Sequence, residues 1–108
     1  MRELKFREWC SEGGKKSWMN FFDISKVNIC DNGPIMQYTG FKDRNGVEIY
    51  EGDVLRRWVN SRGKVYPSNF EGNRITVTFT NGSYNIKPKL LDRLEIVGNV
   101  YQGIPDVI

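Results

Sequence analysis

Met36-Gln37-Tyr38-Thr39-Gly40-Phe41-Lys42-Asp43-Arg44-Asn45-Gly46-Val47-Glu48-Ile49-Tyr50-Glu51-Gly52-Asp53-Val54 is the stretch from which the fold is read. Gly40, Asn45-Gly46 and Gly52-Asp53 interrupt β-type residues at short intervals, so the stretch predicts three extended segments joined by tight turns. Asn-Gly between apolar neighbours suits the positive φ angles of a hairpin turn. Nothing in it spells out a reaction; it speaks to the path of the chain.

Upstream, Glu3-Leu4-Lys5-Phe6-Arg7-Glu8-Trp9 alternates at period two, which predicts a half-buried strand with Leu4 and Phe6 on one face and Lys5 and Arg7 on the other. A turn over residues 11–16 and a returning arm over 17–22, rich in aromatics, complete an N-terminal hairpin. Residues 26–30 read as a short extended piece, stopped by Asp31-Asn32-Gly33-Pro34. Downstream, strands are expected at 47–50 and from Val54 to Val59. Residues 60–73 read as a mobile loop holding one short strand near Lys64-Val65-Tyr66.

Arg74-Ile75-Thr76-Val77-Thr78-Phe79-Thr80 alternates most cleanly and predicts one strand with Ile75, Val77 and Phe79 facing the core. Asn81-Gly82 turns it into residues 83–86, residues 87–93 can hold one helical turn with Pro88 near its start, and 94–97 form a last strand. Short strands, frequent glycine turns and few helix signals define an all-β class: an N-terminal β-hairpin subdomain, residues 1–35, followed by an SH3-like small β-barrel, residues 36–108, with a C-terminal docking tail. In that tail Val100, Tyr101, Ile104, Val107 and Ile108 are available for packing.

A chain of 108 residues with 27% charged and 39% hydrophobic side chains matches one ordinary globular domain. Its apolar runs are far shorter than the ~20 residues a membrane helix needs, and its N-terminus lacks the apolar core of a secretory signal, so a cytoplasmic protein is expected. In a reducing compartment Cys10 and Cys30, the 2 cysteines, are expected to be free thiols. The sequence holds 0 histidines, which lowers the expectation of acid–base catalysis and removes the usual zinc sets.

The net charge of +3 is unevenly spread. Residues 56–93 carry Arg56, Arg57, Arg62, Lys64, Arg74, Lys87, Lys89 and Arg93 against Glu71 and Asp92, whereas the centre is acidic. With Trp58 and other aromatics interleaved, Arg56, Arg57, Trp58, Arg62, Lys64, Arg74, Lys87 and Lys89 are the candidate contacts for nucleic acid or another partner. The bland alternative is a solvated charged face above a core that consumes the aromatics, and it carries more weight.

Glu48, Glu51 and Asp53 resemble a cation cluster only loosely: a calcium loop needs more oxygen ligands in a set order, and strand and turn roles account for all three. Gly13-Gly14-Lys15-Lys16-Ser17 lacks the following helix that a phosphate loop needs. No catalytic, cofactor-binding or metal-binding residue is therefore assigned, and no enzyme activity or cofactor is expected. The exposed hairpin edges and the tail suggest self-association into a homo-oligomer.

Three segments together resemble the YopX family of small phage- and prophage-encoded proteins. They are Arg2-Glu3-Leu4-Lys5-Phe6-Arg7-Glu8-Trp9, the central run from Met36 through Lys42-Asp43-Arg44-Asn45-Gly46 to Glu51-Gly52-Asp53, and Ile96-Val97-Gly98-Asn99-Val100-Tyr101. Phe41 stands where leucine is usual, Gln102-Gly103-Ile104-Pro105-Asp106 replaces a Glu-Asn-Pro-Glu continuation, and residues 56–93 match only in style. The resemblance implies a β-rich fold with an SH3-like C-terminal part, a phage-linked origin and self-association. It places no catalytic residue. The expected role is a non-enzymatic accessory or regulatory interaction module in the host cytoplasm, contacting host or phage protein, with nucleic-acid binding through residues 56–89 as the alternative.

Overall fold

The computed structural model describes residues 4–12, 16–23, 33–68 and 71–102. Among the described residues ten strands run in chain order: β1 Lys5–Glu12, β2 Lys16–Asp23, β3 Ile35–Lys42, β4 Glu48–Tyr50, β5 Asp53–Ser61, β6 Lys64–Pro67, β7 Arg74–Thr76, β8 Phe79–Thr80, β9 Ser83–Tyr84 and β10 Leu94–Asn99. Short 3-10 helices at Glu71–Asn73 and Pro88–Arg93 are the helical elements among the described residues. The protein is all-β, with an N-terminal hairpin leading into an SH3-like, curled half-barrel.

The first sheet has the order β2-β1-β3-β4. β1 and β2 pair antiparallel from Lys5 opposite Asp23 to Glu12 opposite Lys16, as the alternation of both arms predicts. β1 also pairs with β3, Phe6 opposite Gln37, so the first sheet runs through residue 35. The extended piece expected at 26–30 lies outside the described residues.

Asp43 builds the β3–β4 turn. Its Oδ1 accepts the N–H groups of Asn45 at 2.8 Å and Val47 at 3.0 Å, and Gly46 takes the φ of 79° that a side chain would resist. Its other oxygen accepts the Ile96 N–H at 3.0 Å, tying the turn to β10.

The second sheet is centred on β5, a long strand with two sets of neighbours. Its first half lies between β10 and β7, with Leu55 opposite both Ile96 and Ile75. Its second half pairs with β6, from Trp58 opposite Pro67 to Ser61 opposite Lys64. Much of the loop expected at 60–73 is therefore this hairpin, turned at Arg62-Gly63, both with positive φ. The change of partner along β5 curls the sheet around a core of Ile49, Leu55, Val77, Ile86 and Leu94, with Phe41, Ile75, Tyr84, Leu90, Leu91 and Ile96 packed against it.

Three sequence expectations are corrected. The strand expected over residues 74–80 breaks after Thr76, because Val77 bonds the Glu51–Asp53 turn from both sides: its N–H donates to Asp53 O at 2.8 Å and its O accepts the Gly52 N–H at 3.0 Å. Past the break Phe79 is 52% exposed, not in the core. Arg7, expected on the solvent face of β1, is buried, because it meets an aspartate. Cys10 is wholly buried and disulfide-bonded, so it is not a free thiol. Cys30, the other cysteine in the sequence, lies outside the described residues.

Candidate functional site

The junction between hairpin and barrel is built on Arg7 of β1 and Asp53 at the start of β5. Arg7 Nη2 donates to Asp53 Oδ1 at 2.7 Å and to Glu51 O at 3.2 Å, while Tyr50 N–H donates to Asp53 Oδ2 at 2.8 Å. The guanidinium lies 4.9 Å from the Tyr50 ring centroid, and Phe21 of β2 meets the same ring edge-on at 5.5 Å. Burial pushes the Asp53 carboxyl above the usual carboxylate range, further than the Tyr50 N–H and Arg7 pull it down.

The other two carboxylates of the central stretch are also engaged. Glu48 pairs with Lys5 at 2.6 Å, and Glu51 Oε1 accepts the Gln37 N–H at 2.7 Å. The three acids thus point to three partners, and among the described residues no group of three or more His, Cys, Asp or Glu side chains could hold a metal ion. The turn closed by Asp53 is what the sequence gives reason to expect; the pairing of Glu48 with Lys5 and of Asp53 with Arg7 is not.

The basic half divides in two, because neighbouring residues of a strand face opposite sides. Arg56 lies opposite Glu95 on one flank and Arg74 on the other, so these three share the outer face of the sheet. Arg56 Nη2 donates to Glu95 Oε1 at 2.6 Å, and Trp58 Nε1 donates to the same oxygen at 3.1 Å. Arg44, from the β3–β4 turn, covers the Trp58 ring at 3.6 Å. Burial alone would raise the Glu95 carboxyl, but the hydrogen bonds of Arg56 and Trp58, the Arg56 charge and a bond from Asn45 together hold it below its usual range.

Arg57 faces the other way. It stands opposite Leu94 of the core and two residues from Leu55, on the core side of the central strand. With Lys87 it lines a pocket of about 190 Å³, whose other walls are Gly72, Asn73, Ile75, Asn85, Leu90 and Leu94. Arg62 and Lys64 are exposed at the tip of the β5–β6 hairpin, and Lys89 is exposed in the 3-10 helix. Of the eight sequence candidates the fold therefore gathers Arg56, Trp58 and Arg74 on one face, Arg57 and Lys87 around one pocket, and leaves Arg62, Lys64 and Lys89 on the rim.

Arg7, Arg44 and Glu95 were not singled out in the sequence as site residues. No local signal marks them, since Arg7 meets its partner 46 positions away and Arg56 meets Glu95 across 39. A larger open groove of about 620 Å³ lies between β3 and the β8–β9 hairpin, lined by Thr39, Gly40, Phe41, Phe79, Gly82, Ser83, Tyr84, Ile86 and Pro88.

Hairpin, β5-centred half-barrel and the buried Arg7–Asp53 pair together define a small all-β protein in which an ion pair joins β1 to the start of β5. The chain belongs to the YopX family: the family model described as YopX protein matches residues 5–104. No curated protein matches the sequence. Among solved structures it is similar to the crystal structure of protein EF1440 from Enterococcus faecalis, with a TM-score of 0.56 at 18% identity over 94% of this chain and 96% of that one. A likeness at that identity speaks to the fold. Among the described residues no helix is long and apolar enough to cross a membrane.

Proposed function

We propose that this protein is a non-enzymatic interaction module, a phage- or prophage-type accessory or regulatory protein that acts in the host cytoplasm through protein contacts, first of all with copies of itself. The observation that carries this is the β8–β9 hairpin. It is a two-stranded sheet of its own, apart from the two larger sheets. It presents Phe79, 52% exposed and edge-on to Tyr84 at 4.9 Å, beside the large groove. A short two-stranded unit that carries an exposed aromatic favours contact with another chain through apolar burial.

Light scattering coupled to size exclusion tests it. A homo-oligomer is expected at micromolar concentration, shifting toward monomer in Phe79→Glu, which alters an exposed side chain. A strict monomer at high concentration ends the self-association reading.

Nucleic-acid binding is the second reading, and the exposed cations Arg62, Lys64, Lys87 and Lys89 support it. Trp58 does not, because Arg44 already occupies its ring face. Fluorescence anisotropy with single-stranded oligonucleotides at low salt decides it: binding must appear by tens of micromolar and fall steeply with added salt.

A further inference from the structure

Arg57 is a charged residue on the core face of β5. The core face of this strand calls for an aliphatic residue at 57, between Leu55 and the rim and opposite Leu94, which is 1% exposed. An arginine stands there instead. It is half-buried, and its Nε–H, like those of Arg7, Arg56 and Arg74, is buried without an acceptor. The described ion pairs are Lys5–Glu48, Arg7–Asp53 and Arg56–Glu95, and none involves Arg57. A half-buried guanidinium without a counter-charge leaves donors open to an anionic ligand.

The pocket beside it has a matching composition. Among the described side chains two cations, Arg57 and Lys87, and no carboxylate line it, while Ile75, Leu90 and Leu94 form an aliphatic wall. Asn85 is already committed, its amide bonding the backbone of Thr76 and Thr78 at 2.8 and 2.9 Å, so it frames the pocket rather than reading a ligand. At about 190 Å³ the space lies well below the roughly 300 Å³ at which drug-sized sites begin. It holds a small group.

We propose that this pocket binds a carboxylate carried on a short aliphatic group, with the Arg57 guanidinium and the Lys87 ammonium pairing the anion and Ile75, Leu90 and Leu94 packing its hydrocarbon part. A carboxylate fits better than a phosphate on two counts. A planar guanidinium matches a carboxylate in a two-bond fork, and a strongly hydrated phosphate gains nothing from a wall of aliphatic side chains. The group can arrive as a free branched-chain acid or as the C-terminal residue of a peptide, since both offer the same chemistry. This site is separate from the β8–β9 edge, so each reading fails or stands without the other.

Titration of the full chain with isovalerate, followed by the arginine Nε–Hε and backbone amide signals in NMR, tests the site. The expected result is saturable binding in the millimolar range that moves the Arg57 and Lys87 signals, with neutral isovaleramide at least about tenfold weaker, as loss of a charge-assisted bond requires. Acetyl-Gly-Val with a free C-terminus, set against its amide, separates the sources: binding of the free-terminus peptide assigns the site to a chain end, and binding of isovalerate alone assigns it to a free acid.

Arg57→Leu is expected to keep the fold and abolish the response. Lys87→Ala, at an exposed position, is expected to weaken binding several-fold. Any of three outcomes overturns the proposal: no saturation by either carboxylate, inorganic phosphate binding in preference to isovalerate, or unchanged binding in folded Arg57→Leu or Lys87→Ala.

Discussion

Replacing Arg7 by methionine tests the junction most directly. The Arg7 and Asp53 side chains are 7% and 2% exposed and 2.7 Å apart, so neither can turn to water once its partner is gone. Breaking a buried pair from one side costs about 3–5 kcal/mol. In a domain of this size each kcal/mol moves the melting temperature by about 4–8 °C, so a drop of about 12 °C or more is expected. Asp53→Asn keeps an oxygen for the Tyr50 N–H bond, seen at 2.8 Å, and removes only the charge.

The Arg7→Met/Asp53→Asn double variant is expected to be more stable than the summed single losses predict, with a coupling of about 1–3 kcal/mol, measured by urea denaturation followed by tryptophan fluorescence. The sign with pH follows from the raised Asp53 carboxyl. Without Arg7 its folded value climbs further above 3.8, the folded state holds the proton more tightly than the unfolded chain, and the variant's deficit narrows as the pH falls toward that value. A loss under about 1 kcal/mol for Arg7→Met, or strict additivity in the double variant, would refute the role given to this pair.

The Glu95 carboxyl is held low, so its contribution is present above the unfolded value near 4.5 and lost as the pH falls through its lower folded value. Glu95→Gln is therefore expected to cost about 1.5–3 kcal/mol at neutral pH, and pH-dependent melting should show that gap closing in acid. Gly33→Ala is expected to destabilise strongly, because a Cβ there would sit 1.9 Å from the Trp9 carbonyl oxygen, a backbone atom with little room to move. Gly46→Ala meets nothing within 4 Å and bears only the strain of its φ of 79°, so thermal melts should rank it well above Gly33→Ala, with a loss of about 1 kcal/mol.

Much of the fold was legible because its signals are local. The period-two pattern of residues 3–9, the aromatic return arm and Asn45-Gly46 predict the β1–β2 and β3–β4 hairpins, and both form where expected. Asp43 in the central turn was legible for the same reason, since Asx side chains bond backbone two to four residues ahead. The alternation over 74–80 misled because it records intrinsic preference alone, and Val77 is recruited by a turn more than twenty residues earlier. The run of basic residues showed where cations are frequent but not which face each would occupy.

The amino-acid sequence by itself determined the all-β class, the hairpins, the turn chemistry of residues 36–54 and the family, because propensity, alternation and turn preference act over a few residues. Only the tertiary structure decided that Arg7 is buried against Asp53, that Arg56 is consumed by Glu95, that Trp58 lies under Arg44, and that Arg57 faces inward beside Lys87. Each of these depends on the register between strands far apart in the chain. A shift of one residue in that register would send every one of those side chains to the opposite face.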